Sequence, residues 1–362
     1  MSRHHVERSV KVVRSPRVVQ IESLFDVPQA SESSVSWDID VPLEDHPWQV
    51  GLVVGPSGSG KSTLISEIFG DAQVVDSFKW GHEAIVDCFP NELTTREITG
   101  ALSKAGLSSV PSWLRPYGVL SNGERFRADV ARAVVESKGL VVMDEFTSVV
   151  DRQVAKVASH TTQKMVRAGS SQFVAATCHY DVEEWLQPDW VFDTSTMTFT
   201  WRSVQPRPSV KLEISQAHRS TWGLFKRHHY MSAEISNAAQ CFVATVDGAP
   251  VAFNSYIHLV HPHVKNTKRI HRLVVLPDWQ GLGIGGRFAD WLGAYLHDKK
   301  LRLNCTTSHP GMIAVYKRSK RWRQGVVSRD GGTAKAMRGL KKTQMSRRRW
   351  STRTFSYSPP VT

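Results

Sequence analysis

The chain has 362 residues, of which 41% are hydrophobic and 22% charged. That length predicts two or three domains, and the composition predicts packed cores rather than disorder. No stretch approaches the roughly 18 uncharged apolar residues of a membrane helix, and the basic segment Met1–Pro16 lacks a signal-peptide core. The four cysteines (Cys88, Cys178, Cys241, Cys305) are widely spaced with no CxxC pair, which speaks against a disulfide scaffold or cysteine zinc site and for a reducing cytoplasm. The net charge of +13 is uneven: residues 1–200 carry 18 Lys+Arg against 26 Asp+Glu, and residues 201–362 carry 28 against 7. An acidic half joined to a strongly basic half predicts two jobs.

In chain order, the first strong pattern is the apolar strand Val50–Val54, followed by a Gly-rich turn and a helix over Leu64–Phe69. Further buried strands are expected at Leu140–Met143 and Phe173–Thr177. Continuous apolar strands separated by helical stretches read as a parallel sheet covered on both faces. Gln205-Pro206-Arg207-Pro208-Ser209 reads as a linker. A second α/β pattern follows, with strands at Cys241–Val246, Val251–Leu259, Ile270–Leu276 and Leu301–Thr306, and helices at Arg287–Leu296 and Met312–Ser319. No internal repeat relates the two halves.

Gly55-Pro56-Ser57-Gly58-Ser59-Gly60-Lys61-Ser62-Thr63 matches GxxxxGK[ST] between a strand and a helix. Glycines there let backbone N–H groups wrap phosphates, Lys61 neutralises the β and γ phosphates, and Ser62 offers its hydroxyl to Mg²⁺. A chance Gly/Ser turn is the bland alternative. Downstream come Leu120-Ser121-Asn122-Gly123-Glu124, then Asp144-Glu145 at a strand end, Ser148-Val149-Val150-Asp151, and His179 after another strand. This order resembles the ABC-type ATPases over roughly residues 18–203. The resemblance implies that Gly55, Ser57, Gly58, Gly60, Lys61, Ser62 and Thr63 hold ATP, and that Asp144 joins Ser62 in holding Mg²⁺. It further implies that Glu145 polarises the attacking water, His179 contacts the γ-phosphate, and Ser121 and Gly123 reach ATP held by a second subunit. Two departures are visible. The glutamine after the second lobe strand is missing from Ala84–Pro90, where Asp87 is the nearest polar residue, and the helical insert between Pro90 and Leu120 is short. Phe25 is left as either an adenine-stacking or a core side chain.

The strand ending Val274-Val275-Leu276-Pro277 runs into Gln280-Gly281-Leu282-Gly283-Ile284-Gly285 and a helix. Such a turn aims helix N-terminal N–H groups at an anion. The Gln280-x-x-Gly283-x-Gly285 spacing resembles motif A of the GNAT acyltransferases. That implies a CoA pyrophosphate on Gln280, Gly281, Gly283 and Gly285, and a pantetheine arm along the strand at Val275. A Rossmann turn fits less well, because Asp298 follows a helix rather than a second strand. By the same resemblance Tyr316 is either the general acid for the leaving thiolate or a ring packed under its helix. Trp222–Tyr230 together with Thr307-Ser308-His309-Pro310 looks like the Mom family of phage DNA-modification proteins. This implies site roles for His229, Tyr230 and Ser308 and an adenine acceptor. The His228-His229 pair reads equally as a metal site or a solvated face; His258, His261 and His263 add possible ligands, but a loop rich in His more often holds no metal.

From Lys317 to Arg353 there are 14 Lys+Arg against Asp330 alone, with Trp322 and Trp350 interleaved. A polyanion suits that stripe; a basic solubilising tail is the alternative. The sequence therefore predicts an α/β chain. It comprises an ABC-type P-loop ATPase over 18–203, a linker over 204–210, an α+β GNAT-like domain with a mixed sheet over 211–330, and a basic extension over 331–362. The expected activity is ATP-dependent DNA-base modification with ATP, Mg²⁺ and an acyl-CoA, by a cytoplasmic homodimer bound to DNA. A protein or small-amine N-acetyltransferase and an ATP-switched DNA clamp remain as alternatives.

Overall fold

The computed structural model describes residues 3–29, 31–70, 73–74, 78–137, 139–202, 209–229, 234–260, 265–328 and 352–359. Strand β1 (Arg3–Lys11) pairs antiparallel with β2 (Glu32–Asp40) around helix α1 (Pro16–Phe25). Val6 and Ile39 of this hairpin pack into the core beneath the P-loop with Leu64 and Trp190. The ATPase unit therefore begins at β1, earlier than the expected boundary at residue 18. Helix α1 buries none of its side chains, and Phe25 is 68% exposed. The core expectation for Phe25 does not hold, because its side chain lies at the surface.

β3 (Val50–Val54), α2 (Lys61–Ile68), β4 (Gln73–Val74), α3 (Thr95–Lys104), α4 (Val110–Trp113), α5 (Asn122–Glu136) and β5 (Leu140–Met143) follow in chain order. Next come α6 (Arg152–Val166), β6 (Gln172–Thr177), α7 (Val182–Leu186), β7 (Trp190–Asp193) and β8 (Thr198–Trp201). Their sheet runs β4-β5-β6-β3-β7-β8, parallel except for the β7–β8 pair. All five residues of β3 are buried, as an apolar strand covered on both faces must be. Helices α3 and α5 both open on capping boxes, Thr94 with Glu97 and Ser121 with Glu124. Each box satisfies backbone N–H groups that the first helical turn leaves open.

The second unit comprises β9 (Glu213–Ala217), the short α8 (Trp222–Phe225), β10 (Gln240–Val246), β11 (Ala249–His258), β12 (Thr267–Val275), α9 (Ile284–Asp298), β13 (Arg302–Thr307), α10 (Pro310–Arg318), β14 (Trp322–Ser328) and β15 (Thr352–Tyr357). The β10–β11 hairpin turns at Asp247 and Gly248, both with positive φ, the geometry whose twist matches the paired strands. Sheet order is β14-β15-β13-β12-β11-β10-β9, and only β12–β13 is parallel. Strand β15 thus lies inside the sheet, between β13 and β14, with Phe355 fully buried. The boundary expected at residue 330 is corrected accordingly: the end of the chain supplies a strand of this domain. The linker falls almost wholly outside the described residues. Among the described residues, no helix is long and apolar enough to cross a membrane.

Candidate active sites

The nucleotide turn is shaped by its glycines. Gly58 and Gly60 hold φ of +78° and +86°, a region in which a side chain is strained. Gly55 lies against Thr194, whose hydroxyl is 2.5 Å from that of Ser59, and a Cβ on Gly55 would run into it. Lys61 is buried, and its ammonium donates to the carbonyls of Gly55 (3.0 Å) and Pro56 (2.7 Å). Ser57, Gly58 and Ser62 are exposed, and Thr63 is half-buried. The indole of Trp37, on β2, lies 3.0 Å from where a Cβ on Gly60 would stand. That aromatic contact, not Phe25, is the one the fold brings to the turn.

Asp144 closes β5, and its carboxylate accepts the Glu145 N–H at 2.8 Å. Glu145 is exposed and holds φ of +49°, a strained conformation of the kind that collects at functional sites. His179 follows β6; its pKa is lowered by burial and then by Arg152, and it feels the charge of Glu145 in the opposite sense. Its Nδ1 is buried without a hydrogen-bond partner among the described residues. Asp87 sits exposed on a short 3-10 turn. Ser121 caps α5, and a Cβ on Gly123 would press on Val154 at 2.9 Å. The exposed Ser62 hydroxyl, the acidic end of β5 and the left-handed glycines fit Mg-ATP.

In the second unit, β12 and β13 pair only at Thr267↔Arg302, Lys268↔Leu303 and Arg269↔Asn304. Beyond that point they part, leaving the side of β12 toward Val275 without its neighbour. A bulge at Ser255/Tyr256 shifts the pairing across His271. His271 is pushed down to about 4 by burial, then by Arg272 and Arg269, and its Nε2 accepts the Ser236 N–H at 3.1 Å. The turn after β12 opens α9 on Gly283, at φ +80° with open space where a Cβ would stand. A Cβ on Gly285 would lie 3.4 Å from Val275 and 3.6 Å from Met312. An unpaired strand edge ending at a helix N-terminus fits an extended, anionic cofactor such as acetyl-CoA.

Tyr316 is corrected. Its ring is fully buried between Trp322 (centroids 4.4 Å apart) and Phe355 (5.2 Å), and its hydroxyl interacts with the Cys305 thiol. A general acid must reach the leaving group, so this residue is a core side chain. Ser308 lies half-buried between β13 and α10, and His229 packs edge-on against Trp222 at 5.5 Å. Tyr230, His261 and His263 lie outside the described residues. His258 is exposed, and no group of three metal-capable side chains occurs among the described residues.

Sequence reasoning missed the contact between the two units. Gln280 is 7% exposed; its amide donates to the Val275 carbonyl (2.9 Å) and accepts the Ser108 N–H from the ATPase unit (2.6 Å). His309 caps α10 by accepting the Met312 N–H on Nδ1, while its Nε2–H donates to the Ser108 carbonyl at 2.9 Å. Asp278 stands 4.0 Å from the guanidinium of Arg127 on α5, which is 1% exposed. A Cβ on Gly281 would run into Thr161 of α6. Arg127 left no trace in the sequence, because its helix also carries Glu124, Arg125, Asp129, Arg132 and Glu136.

Residues 181–319 match the model of the "Acetyltransferase (GNAT) family". The match begins inside the ATPase sheet, since β7 and β8 belong there; the fold places the start of the transferase unit at β9. The N-terminal part is similar to the zinc import ATP-binding protein ZnuC of Paracoccus denitrificans, 28% identical over 177 residues, covering 41% of this chain and 68% of that protein. It is also similar to the ATP-dependent lipid A-core flippase of Bordetella avium, 24% identical over 188 residues, covering 41% of this chain but only 31% of the flippase. Among solved structures, the IAA acetyltransferase of Bacillus cereus is 16% identical with a TM-score of 0.31, covering 40% of this chain and 98% of that one. One chain joins an ABC ATPase-like unit to a unit that matches the GNAT family model; the resemblance to Mom proteins has no counterpart in these matches.

Proposed function

We propose that this protein is a cytoplasmic, ATP-dependent DNA-modifying acyltransferase that acts as a homodimer and acylates a nucleobase amine, that of adenine. The observation that carries the acceptor is charge: 28 Lys+Arg against 7 Asp+Glu over residues 201–362, the part that holds the transferase. Such an excess favours a polyanion through counterion release. The sequence likeness of His229-Tyr230 and Ser308 to the Mom proteins supports the adenine.

Acetyl-CoA supplies an activated carbonyl and a thiolate leaving group. The chain's part is to bind and orient. The α9 turn would hold the pyrophosphate, and the free edge of β12 near Val275 would hold the pantetheine arm. The adenine N6 lone pair is delocalised into the ring, so close positioning and removal of its proton are needed, and the base must leave the duplex stack. The N6 nitrogen bonds to the carbonyl carbon, the carbon–sulfur bond breaks, and the N6 proton passes to His229. The thiolate takes a proton from solvent, because Tyr316 is sealed away.

The test is transfer of labelled acetyl groups from acetyl-CoA to duplex DNA, a basic peptide or spermine by the purified protein with Mg-ATP. The proposal expects label in DNA. Label in the peptide or the polyamine alone would replace it with an N-acetyltransferase.

A further inference from the structure

The motifs of the ATPase and of the transferase are physically joined, and one buried charge sits at the joint. Arg127 lies one turn after Gly123, whose Cβ position would be 3.6 Å from the Arg127 guanidinium. All three of its nitrogens are buried without a hydrogen-bond acceptor among the described residues. The charges around it are Glu124 and Asp151 from the ATPase unit and Asp278 from the transferase. A buried cation held by charge alone depends strongly on its partner, because desolvation is not offset by hydrogen bonds. Asp278 itself faces Arg127, Asp151, Glu124 and His228. Two residues on, Gln280 begins the anion-binding turn.

The same turn is gripped from a second direction. Ser108, between α3 and α4, gives its N–H to Gln280 and its carbonyl to His309. Gln280 follows β12 and His309 follows β13, so one ATPase residue ties together the chain segments at the ends of the two parting strands. Thr161 of α6 fills the space over Gly281, and a Cβ on Gly106 would lie 3.2 Å from the Gln280 carbonyl. These contacts leave the turn no freedom to shift without moving α3, α5 or α6.

We propose that Arg127–Asp278 and the Ser108 clamp are a coupling joint, through which nucleotide at the Ser121–Gly123 turn and acetyl-CoA at the Gln280–Gly285 turn alter each other's affinity. Asp278, Gln280, Ser108 and His309 act here as positioning residues. The proposal rests on the acetyl-CoA site assigned above. Linkage is reciprocal: whatever factor ATP imposes on acetyl-CoA, acetyl-CoA must impose on ATP.

The experiment is calorimetric titration of the full chain carrying Glu145→Gln, which prevents turnover of ATP. Acetyl-CoA is titrated with and without saturating Mg-ATP, and ATP with and without acetyl-CoA. The expected result is an affinity ratio of at least about fivefold, equal in both directions. Asp278→Asn and, separately, His309→Asn should bring that ratio toward one while each ligand still binds. Asparagine is a good helix N-cap, so the second change keeps α10 while removing the Ser108 bond. Acetyl-CoA binding with a ratio of one, or a full ratio persisting in both variants, would overturn the coupling and leave the transferase reading standing. No acetyl-CoA binding in any state would overturn the transferase reading itself.

Discussion

Tyr316 shows how a residue's environment decides its role. Its position on the helix after β13 resembles that of a general acid, yet the ring is packed between Trp322 and Phe355 with no exposed surface. Tyr316→Phe should therefore leave the acyl-transfer rate within about twofold, where loss of a true general acid costs about 10²–10⁴-fold. Stability should fall by about 1 kcal/mol through the lost contact with Cys305; steady-state rates and thermal unfolding read the two effects separately. His271 gives a pH dependence. Its pKa drops from 6.5 in the unfolded chain to about 4 in the fold. The unfolded state therefore binds the proton first, and stability present above about pH 6.5 is lost as pH falls toward 4. His271→Gln keeps an acceptor for the Ser236 N–H without titrating. Thermal midpoints between pH 7 and 5 should fall less in this variant than in the parent chain.

At the scale of elements, the basic C-terminal stretch is two things at once. Strand β15 bridges β13 and β14 and buries Phe355, so truncation after Asp330 removes a strand from the middle of the sheet. That truncation should unfold the transferase unit, seen as loss of its near-ultraviolet signal. Replacing the seven Lys and Arg of residues 331–350 by Ser should instead keep the fold and flatten the salt dependence of DNA binding. The strand was not legible because Thr352–Tyr357 alternates only weakly and follows a long charged stretch. The Gly55–Ser62 turn, the Asp144-Glu145 strand end and the Gly283 turn stand where the sequence placed them, because each follows an apolar strand that fixes its position. Trp37 was hidden in a hairpin whose partner strand is distant in sequence. The Ser108 clamp was invisible for the same reason: backbone groups carry no sequence signal, and contacts across about 170 residues leave no periodicity.

For the whole molecule, the proposed function gives the ATPase unit a partner. Ser121 and Gly123 lie at the start of α5 and, by the ABC resemblance, meet ATP held by a second copy. Glu145→Gln keeps the P-loop while removing the carboxylate that would activate water. With Mg-ATP this variant should double its mass in light scattering, and without nucleotide it should remain monomeric. A monomer under saturating Mg-ATP would remove the two-copy arrangement, and with it the nucleotide that the Arg127–Asp278 joint is proposed to sense.

Acylation of a DNA base by the transferase unit, as proposed, is read by nucleoside mass spectrometry of DNA from expressing cells. A side chain at Gly283 would enter the open space where the cofactor anion is expected and would strain a left-handed backbone. The account predicts a deoxyadenosine of increased mass with the unaltered chain, and its absence with Gly283→Glu while ATP hydrolysis continues. Unmodified nucleosides from cells expressing the unaltered chain, or equal modification with Gly283→Glu, would contradict it.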